Sequence, residues 1–231
     1  TLQFIIDHEG EDVTRFILSP AKYPGVEIPL AARCIEARKK IKGKIPAFYA
    51  EPSLLYPDAL ALEQCSSQAS AEYKSRLIPE GATVADLTGG LGVDSYFLSR
   101  RASKLTYYER KSHLAEAAQE NFRTLGAMNI DCHTAELTLE KIQSPDFPSY
   151  DIIFLDPARR DKMGGRVYSI ADCEPNLALW RTPLLAKANT ILAKVSPMAD
   201  ISQILGEVPG IGEIHILSVD HECKELLLKI T

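Results

Sequence analysis

Long apolar runs are absent from this chain of 231 residues, and no stretch approaches the roughly 18 to 20 apolar residues of a membrane-spanning helix. The opening residues, TLQFIIDHEGED, lack the basic segment and the apolar run of a signal peptide. The five cysteines include no CxxC pair and the five histidines show no HExxH spacing, which argues against a disulfide framework and against a metal site. We therefore expect a protein of the reducing cytoplasm with no membrane partner and no metal.

An excess of positive charge is also missing. The formal net charge is −5, from 26 Lys+Arg and 31 Asp+Glu. This balance argues against a protein that coats nucleic acid with its whole surface, but it leaves room for a local basic patch. Apolar residues make up 45% and charged residues 25% of the chain, which is typical of a folded domain and excludes disorder as the main state. Because the sequence starts with Thr, we expect its native beginning to be missing.

The first 57 residues are rich in proline and show no strand alternation, so we predict a small helical region over residues 1–57. Its main helix is expected to start at Pro29 and to end with Gly43 as the C-terminal cap. Six cations lie close together here: Arg33, Arg38, Lys39, Lys40, Lys42 and Lys44. They indicate either phosphate contacts with RNA or the solvated face of a helix, and the sequence leaves both interpretations open.

Residues 58–231 show a different pattern, beginning with a helix-forming stretch over residues 58–77. From residue 82, apolar strands alternate with helices, which predicts βαβ units around a mostly parallel sheet. The predicted strands are ATVADL, KLTYYE, NIDCH, YDIIFLD, NTILAKV, EIHILSV and KELLLKI. We expect the helix SHLAEAAQENFRTLG to be capped by Ser112 and ended by Gly126, and about 30 irregular residues to follow YDIIFLD. The last two strands are joined by a short loop and must be antiparallel.

The segment VADLTGGLGVDS is the most informative part of the sequence. Asp86 ends a strand, a turn containing Gly89, Gly90 and Gly92 follows, and a helix opens near Val93. Glycines let the backbone approach a ligand closely, and the helix start offers unpaired N–H groups. Glu109 ends the next strand, where an acid can accept both hydroxyls of a ribose. The alternative is a turn that merely closes a βα unit.

The turn favours S-adenosylmethionine over a dinucleotide. A dinucleotide site requires GxGxxG, but Ser95 stands where the third glycine is needed. Asp86 would repel a pyrophosphate and would suit a cationic amino-acid group. A nicotinamide-dependent dehydrogenase is the alternative function for this turn.

A second site is predicted at LDPARRD, where Asp156 and Pro157 follow the fourth strand. In an open α/β sheet, ligands bind at the carboxyl ends of the strands, so Asp156 is expected beside Asp86 and Glu109. Arg159, Arg160 and Arg166 bring cations suited to phosphate recognition to the same edge. A solvated loop with incidental charges is the alternative. Trp180, further along the chain, is predicted to be a core residue.

With these motifs in view, residues 58–231 resemble a class I methyltransferase that depends on S-adenosylmethionine. DLTGGLG resembles the first motif of that family, YYER the acidic second motif and LDPARRD the fourth. The resemblance implies an α/β, Rossmann-like fold with a seven-stranded, mostly parallel sheet of order 3-2-1-4-5-7-6 whose last strand is antiparallel. EQCSSQASAEYK, DPARR and HECKELLLKI further resemble the THUMP-like-domain methyltransferases, which are bacterial proteins associated with RNA modification. We therefore expect an RNA partner (tRNA or rRNA) and a C-terminal RNA-binding-like module that is missing here.

The resemblance also implies roles for individual residues. The candidate cofactor-binding residues are Asp86, Thr88, Gly89, Gly90, Gly92, Asp94, Glu109, Arg110 and Glu136. The adenine is expected near Ala135 and Glu136. Asp156 and Pro157 are the candidate catalytic residues, beside the methyl group and the target atom, and Arg159, Arg160 and Arg166 are the candidate substrate-binding residues.

The fourth motif departs from the pattern of enzymes that methylate base amino groups, which carry [DN]PP[YF]. Here Ala158 replaces the second proline and Arg159 replaces the aromatic residue. The DPxR form resembles enzymes that methylate uridine at C5, but these need a nucleophilic cysteine, and the nearest candidates are Cys173 and Cys223. The methylated atom thus stays open. Two other functions also stay open: a methyltransferase for small molecules or proteins, and a non-catalytic RNA-binding protein that keeps the fold.

Overall fold

Seven of the nine strands form one sheet in the computed structural model, which describes residues 1–159, 170 and 173–231. The sheet strands are β1 (Thr83–Asp86), β2 (Lys104–Glu109), β3 (Ile130–Thr134), β4 (Tyr150–Leu155), β7 (Ala188–Val195), β8 (Ile211–Val219) and β9 (Glu222–Ile230). Two short strands, β5 (Ala158–Arg159) and β6 (Cys173–Glu174), pair as a separate antiparallel ribbon.

The spatial order of the sheet is β3-β2-β1-β4-β7-β9-β8. The first five of these strands are mutually parallel, and β9 runs antiparallel to both of its neighbours. Counted along the sheet strands alone, this is the predicted order 3-2-1-4-5-7-6 with an antiparallel last strand, so the predicted fold class is confirmed. The order reverses between β1 and β4, which creates a crevice at their carboxyl ends.

Helices cover both faces of the sheet, and others pack on the outside of those helices. They are α1 (Leu2–Asp7), α2 (Thr14–Leu18), α3 (Ile28–Lys44), α4 (Pro46–Tyr49), α5 (Ala59–Gln64), α6 (Gln68–Arg76), α7 (Val93–Ser99), α8 (Ser112–Thr124), α9 (Leu139–Gln143), α10 (Leu177–Leu185) and α11 (Ile201–Glu207), with a 3₁₀ turn at Pro20–Lys22. No helix among the described residues combines the length and the apolar composition of a membrane span.

Alternation along the buried strands gives the sheet an apolar surface on each side. One face of β4 carries Ile153 and Leu155 and packs against α9, α10 and α11. The other face carries Ile152 and Phe154 and packs against α7 and α8. The result is a three-layer α/β/α arrangement whose core lies directly under the crevice.

The predicted helical region at the beginning of the chain is present, and it packs on α7 and α8. Ile41, Ile45 and Phe48 join Phe97 and Leu114 in one buried cluster. Asn121 on α8 adds a polar link, because its side-chain amide accepts from the N–H of Leu55 (2.8 Å) and donates to the carbonyl of Leu55 (2.9 Å). A domain boundary near residue 57 stays a prediction.

Several predicted element ends were wrong. Helix α3 passes through Gly43 and ends at Lys44, because Pro46 disfavours the helical conformation of Ile45. The N-terminal cap of α8 is Lys111 rather than Ser112, while Gly126 follows the helix in the left-handed conformation as expected.

Two longer stretches also differ from the prediction. Residues 58–77 form two helices, since Asp58 and Ser67 each cap a separate start. The stretch predicted as irregular after β4 contains β5, β6 and α10, which Asn176 caps.

Candidate functional site

A cavity of about 260 Å³ lies at the carboxyl ends of β1, β2 and β4. Asp86, Glu109 and Asp156 line it together with the glycine turn after β1. Asp86 and Glu109 are the last residues of β1 and β2, and Asp156 directly follows β4. Ala135 and Glu136 close the cavity beyond β3, and α5 forms the opposite wall. The sequence thus predicted correctly that these three acids meet at one edge of the sheet.

Two glycines of the turn are required by close packing. A side chain at Gly89 would overlap the ring of Tyr107, and one at Gly92 would overlap the ring of Phe122. Gly92 also has φ 78°, a left-handed conformation that favours glycine, and it begins α7 behind the cavity lining. The turn is therefore packed tightly against Tyr107 of β2 and Phe122 of α8.

The carboxylate of Glu109 links β2 to the glycine turn. One oxygen accepts from the N–H of Gly90 (2.9 Å) and the other from the N–H of Lys111 (2.8 Å). A carboxylate offers about four acceptor positions, so two of them stay available to hydroxyl groups in the cavity. This arrangement fits a ribose whose two hydroxyls donate to Glu109.

Asp86 is buried at the bottom of the cavity, only 1% exposed. Its Oδ2 accepts from the hydroxyl of Ser95 (2.6 Å) and its Oδ1 from the N–H of Thr88 (3.0 Å). Burial, together with the nearby carboxylates of Asp94 and Asp156, nevertheless raises the pKa of Asp86 to about 7. A cation placed beside this carboxyl would favour its ionised form.

The described lining is strongly acidic. It contains six carboxylate residues and two basic ones: Asp86, Asp94, Glu109, Glu136, Asp156 and Glu174 against Arg110 and Lys111. Such a lining attracts a cation and repels a pyrophosphate. The residues present therefore fit S-adenosylmethionine, which carries a sulfonium and an ammonium group, better than a nicotinamide dinucleotide.

The remaining predicted cofactor residues also lie at this edge. The Thr88 hydroxyl accepts from the N–H of Asp156 at 2.6 Å and so ties the first motif to the fourth. Both oxygens of Asp94 are engaged, one by Lys74 (2.7 Å) and the other by Ser66 (2.8 Å). Arg110 and Glu136 line the cavity and face each other at 4.0 Å.

The predicted substrate-binding arginines are placed only in part. Pro157 follows Asp156 and is half-buried, and Ala158 lines the cavity. Arg159 ends the two-residue strand β5. Arg160 and Arg166 lie outside the described residues.

Two residues that sequence reasoning missed, Lys194 and Glu225, complete the surroundings of Asp156. Its carboxylate pairs with Lys194 at 2.7 Å, and Lys194 lies 3.9 Å from Glu225. Trp180, predicted as core, packs half-buried against the apolar core and also lines the cavity from α10. The sequence does contain a signal for Lys194 and Glu225, because each is a charged residue in an apolar strand, NTILAKV and KELLLKI. A charge inside a buried strand needs a partner.

The basic helix α3 is largely occupied with internal partners. Arg38 pairs with Glu9 (2.7 Å), Lys40 pairs with Glu63 (2.6 Å), and Lys39 pairs with Glu36 (3.0 Å). Lys44 donates to the backbone carbonyls of residues 62 and 63. Four of the six cations thus bind polar groups of this chain itself. Lys42 lies over the ring of Tyr49 (5.6 Å), and Arg33 is exposed.

No family model and no curated protein matches this sequence. The sheet order and the position of the cavity define the class I, Rossmann-like methyltransferase fold. The chain is similar over 100% of its length to a crystal structure from Porphyromonas gingivalis W83, provisionally described as a methyltransferase, with 35% identity and a TM-score of 0.85. The chain spans 56% of the length of that protein.

Two more distant structures share the fold. One, provisionally described as a SAM-dependent methyltransferase from Streptococcus mutans, is 14% identical with a TM-score of 0.56, and the match covers 69% of this chain and 47% of that one. The other, SMU.776, is provisionally described as a methyltransferase and was crystallised with SAH. It is 15% identical with a TM-score of 0.53, over 65% of this chain and 45% of that one. The predicted class of enzyme and its cofactor agree with these descriptions.

Proposed function

We propose that this chain is the catalytic domain of a methyltransferase that uses S-adenosylmethionine. The acidic cavity at the reversal of strand order carries the proposal, because its acids suit the cationic groups and the ribose of this cofactor. When bound, the cofactor supplies an electrophilic methyl group on a sulfonium sulfur. Glu109 would hold the ribose hydroxyls, Asp86 the amino-acid end, and Glu136 with Ala135 the adenine. Asp156 and Pro157 would lie beside the target atom.

RNA is the acceptor that we propose, on the resemblance of the motifs to the THUMP-like-domain methyltransferases. Arg159, Arg160 and Arg166 would contact its phosphates. We also propose that the protein acts in the cytoplasm. The helical region over residues 1–57 is proposed as a structural unit separate from the methyltransferase domain over residues 58–231. A methyltransferase for small molecules or proteins is the second candidate, which the net charge of −5 and the internal pairing of α3 favour.

Titration calorimetry with S-adenosylmethionine tests the proposal, with NAD as the contrasting ligand. We expect micromolar affinity for S-adenosylmethionine and no heat with NAD. Glu109→Ala should weaken the binding by about 10- to 100-fold, since hydrogen bonds to a charged group contribute roughly 1.5–3 kcal/mol.

Glu116→Ala is the matched control for this titration, because Glu116 is an exposed acid on α8 away from the cavity. It should leave the affinity unchanged. Absence of S-adenosylmethionine binding in folded protein would overturn the proposed function.

A further inference from the structure

Five buried or half-buried charges of alternating sign extend from the cavity into the protein. Asp156 pairs with Lys194 (2.7 Å), which approaches Glu225 (3.9 Å); Glu225 pairs with Lys74 (3.0 Å), and Lys74 pairs with Asp94 (2.7 Å). We call this set the charge chain. The side chains of Lys74, Glu225 and Lys194 are 0%, 3% and 15% exposed. The two ends of the charge chain, Asp156 and Asp94, line the cavity.

Within the charge chain, the neighbouring charges favour the ionised forms of Lys194 and Asp94. Burial alone would lower the pKa of Lys194, but the carboxylates of Asp156, Asp94 and Glu225 outweigh burial and raise it. Burial would likewise raise the pKa of Asp94, but Lys74 and Lys194 outweigh burial and lower it. Desolvating several charges is costly, and well-packed apolar residues would often be at least as stable. A fixed ammonium directly behind Asp156 is the feature that apolar packing could not supply.

We infer that the methyl acceptor is a hydroxyl oxygen, with Asp156 receiving its proton and Lys194 acting as a positioning residue. This inference rests on the proposed function, and for an RNA acceptor it means a ribose 2′-hydroxyl. An amine attacks through a neutral lone pair and gains positive charge, which the nearby ammonium of Lys194 opposes. A hydroxyl is a poor nucleophile until its proton is being withdrawn, so it needs a carboxylate and benefits from a fixed cation.

Alternative acceptor atoms find less support among the described residues. Methylation at a pyrimidine carbon needs a thiolate. The predicted candidates Cys173 and Cys223 are not among the described residues that line the cavity, whereas Cys65 is. However, burial raises the pKa of the Cys65 thiol, and its Sγ donates to the carbonyl of Leu62 at 3.1 Å. A base amino group would need an aromatic platform after the fourth motif, where Ala158 and Arg159 stand instead.

The chemical step balances without any further reactant. The hydroxyl oxygen forms a bond to the methyl carbon as the sulfur–carbon bond breaks, and the electron pair of the broken bond stays on sulfur. The hydroxyl proton passes to the Asp156 carboxylate and then to solvent. Lys194 keeps its proton throughout and holds the Asp156 side chain in place.

The first test identifies the product. The full chain would be incubated with unmodified tRNA and rRNA transcripts and with S-adenosylmethionine labelled in the methyl group. Alkali cleaves RNA through the free 2′-hydroxyl, so a 2′-O-methyl product leaves labelled, alkali-resistant dinucleotides. That result is expected. Label on the base of alkali-released mononucleotides would overturn the inference and leave the proposed function standing.

Two further outcomes of this assay separate the inference from the proposed function. Absence of label in RNA, in protein that binds S-adenosylmethionine by calorimetry, would overturn both the hydroxyl inference and the RNA acceptor. Absence of cofactor binding would overturn the proposed function itself.

Variants of Lys194 give the second test. We expect Lys194→Met to lower kcat at least 30-fold while changing the KM for RNA and the calorimetric Kd for S-adenosylmethionine less than threefold. Lys194→Arg, which keeps the positive charge, should retain a substantial part of kcat. If the Met variant fails to fold, kcat of the Arg variant tests the positioning role. Normal kcat in Lys194→Met, or equal losses in the Arg and Met variants, would overturn the positioning role.

Lys187→Met is the matched control for these variants. Lys187 precedes the same strand, β7, at its opposite end, and its ammonium donates to the carbonyls of Ser144 and Phe147. This variant also loses a paired lysine, so it should lose stability but keep kcat.

Discussion

Asp86 is a buried carboxyl whose ionisation is opposed by burial first and by the carboxylates of Asp94 and Asp156 second, so its pKa lies at about 7 instead of the usual 3.8. Between pH 3.8 and about pH 7, Asp86 therefore holds a proton in the native state that it has released in the unfolded chain. Because the native state binds more protons, the contribution of Asp86 to stability falls as the pH rises through this range. Above pH 7 the ionised Asp86 lowers the free energy of unfolding by about 4 kcal/mol, since each pKa unit corresponds to about 1.4 kcal/mol. The cofactor cavity is thus built at the expense of stability.

The affinity for S-adenosylmethionine should depend on pH through Asp86. A cationic ligand stabilises the ionised carboxylate, so its pKa in the complex falls below about 7, and binding releases a proton. We expect the affinity to increase up to about tenfold between pH 6 and pH 8, because a tenfold change corresponds to one pKa unit. Calorimetry in buffers of different ionisation enthalpy measures both the affinity and the proton release.

Asp86→Asn is the control for this pH dependence. The variant should bind more weakly with no such dependence, and the free protein should be more stable at pH 8. Constant affinity of the unaltered protein, with no proton release, would contradict the assignment of Asp86.

The site was predictable from the sequence wherever a functional residue follows a strand. Asp86, Glu109 and Asp156 each end an apolar run, and the carboxyl ends of parallel strands meet at one edge. Lys194 and Glu225 escaped prediction because their contact depends on the pairing of β7 with β9, which brings distant parts of the chain together. Periodicity carries no information about such a contact.

Helix α8 connects the sheet layer to the region at the beginning of the chain through Asn121. This side chain is 2% exposed, and it satisfies both backbone polar groups of Leu55. The link fixes a stretch between α4 and α5 that has no helix or strand of its own. Apolar contacts alone would not fix the register of that stretch.

Asn121→Ala should lower the free energy of unfolding by about 2–3 kcal/mol, because it leaves two partly buried backbone groups of Leu55 without these hydrogen bonds. Chemical denaturation measures the loss. Gln119→Ala on the exposed side of the same helix is the control and should change stability by less than about 0.5 kcal/mol. An equal effect of both substitutions would show that the Leu55 link contributes little.

Element types were more predictable than element ends. The strands followed from apolar runs, and their order followed from the resemblance to the class I methyltransferases. The ends of α3 and α8 were set by local backbone effects, the restriction before Pro46 and the position of Lys111, which periodicity does not register. Helix α10 was missed because Pro183 lies inside it, and proline normally indicates an interruption.

The distribution of charge over the whole molecule limits how RNA could be held. The net charge is −5. Three of the six cations of α3 pair with acids of the same chain, and a fourth, Lys44, donates to backbone carbonyls. Each phosphate contact that a protein makes releases counterions, so the salt dependence of binding reports the number of contacts. Few free cations on the described surface of α3 imply few contacts there.

RNA affinity should therefore depend only weakly on salt and on α3. For a fluorescent tRNA transcript, we expect the slope of log affinity against log salt to have a magnitude below about 3, which corresponds to about four phosphates or fewer. Anisotropy titrations over a salt series measure it. The double substitution Lys39→Ala and Lys40→Ala should change the affinity less than threefold. A steep slope that this substitution abolishes would show that α3 is an RNA-binding surface.

The hydroxyl of Thr88 contacts both halves of the site, because it accepts from the N–H of Asp156 and lies 3.4 Å from the Asp86 carboxyl. A ligand that changes the ionisation of Asp86 changes the hydrogen bond that Thr88 offers to Asp156. The two half-sites are thus linked by a coupling free energy, and such coupling is reciprocal. A cofactor that readies Asp156 for the acceptor is bound more tightly, by the same factor, once the acceptor is in place. One threonine thereby makes the binding of cofactor and acceptor cooperative, whichever of them arrives first.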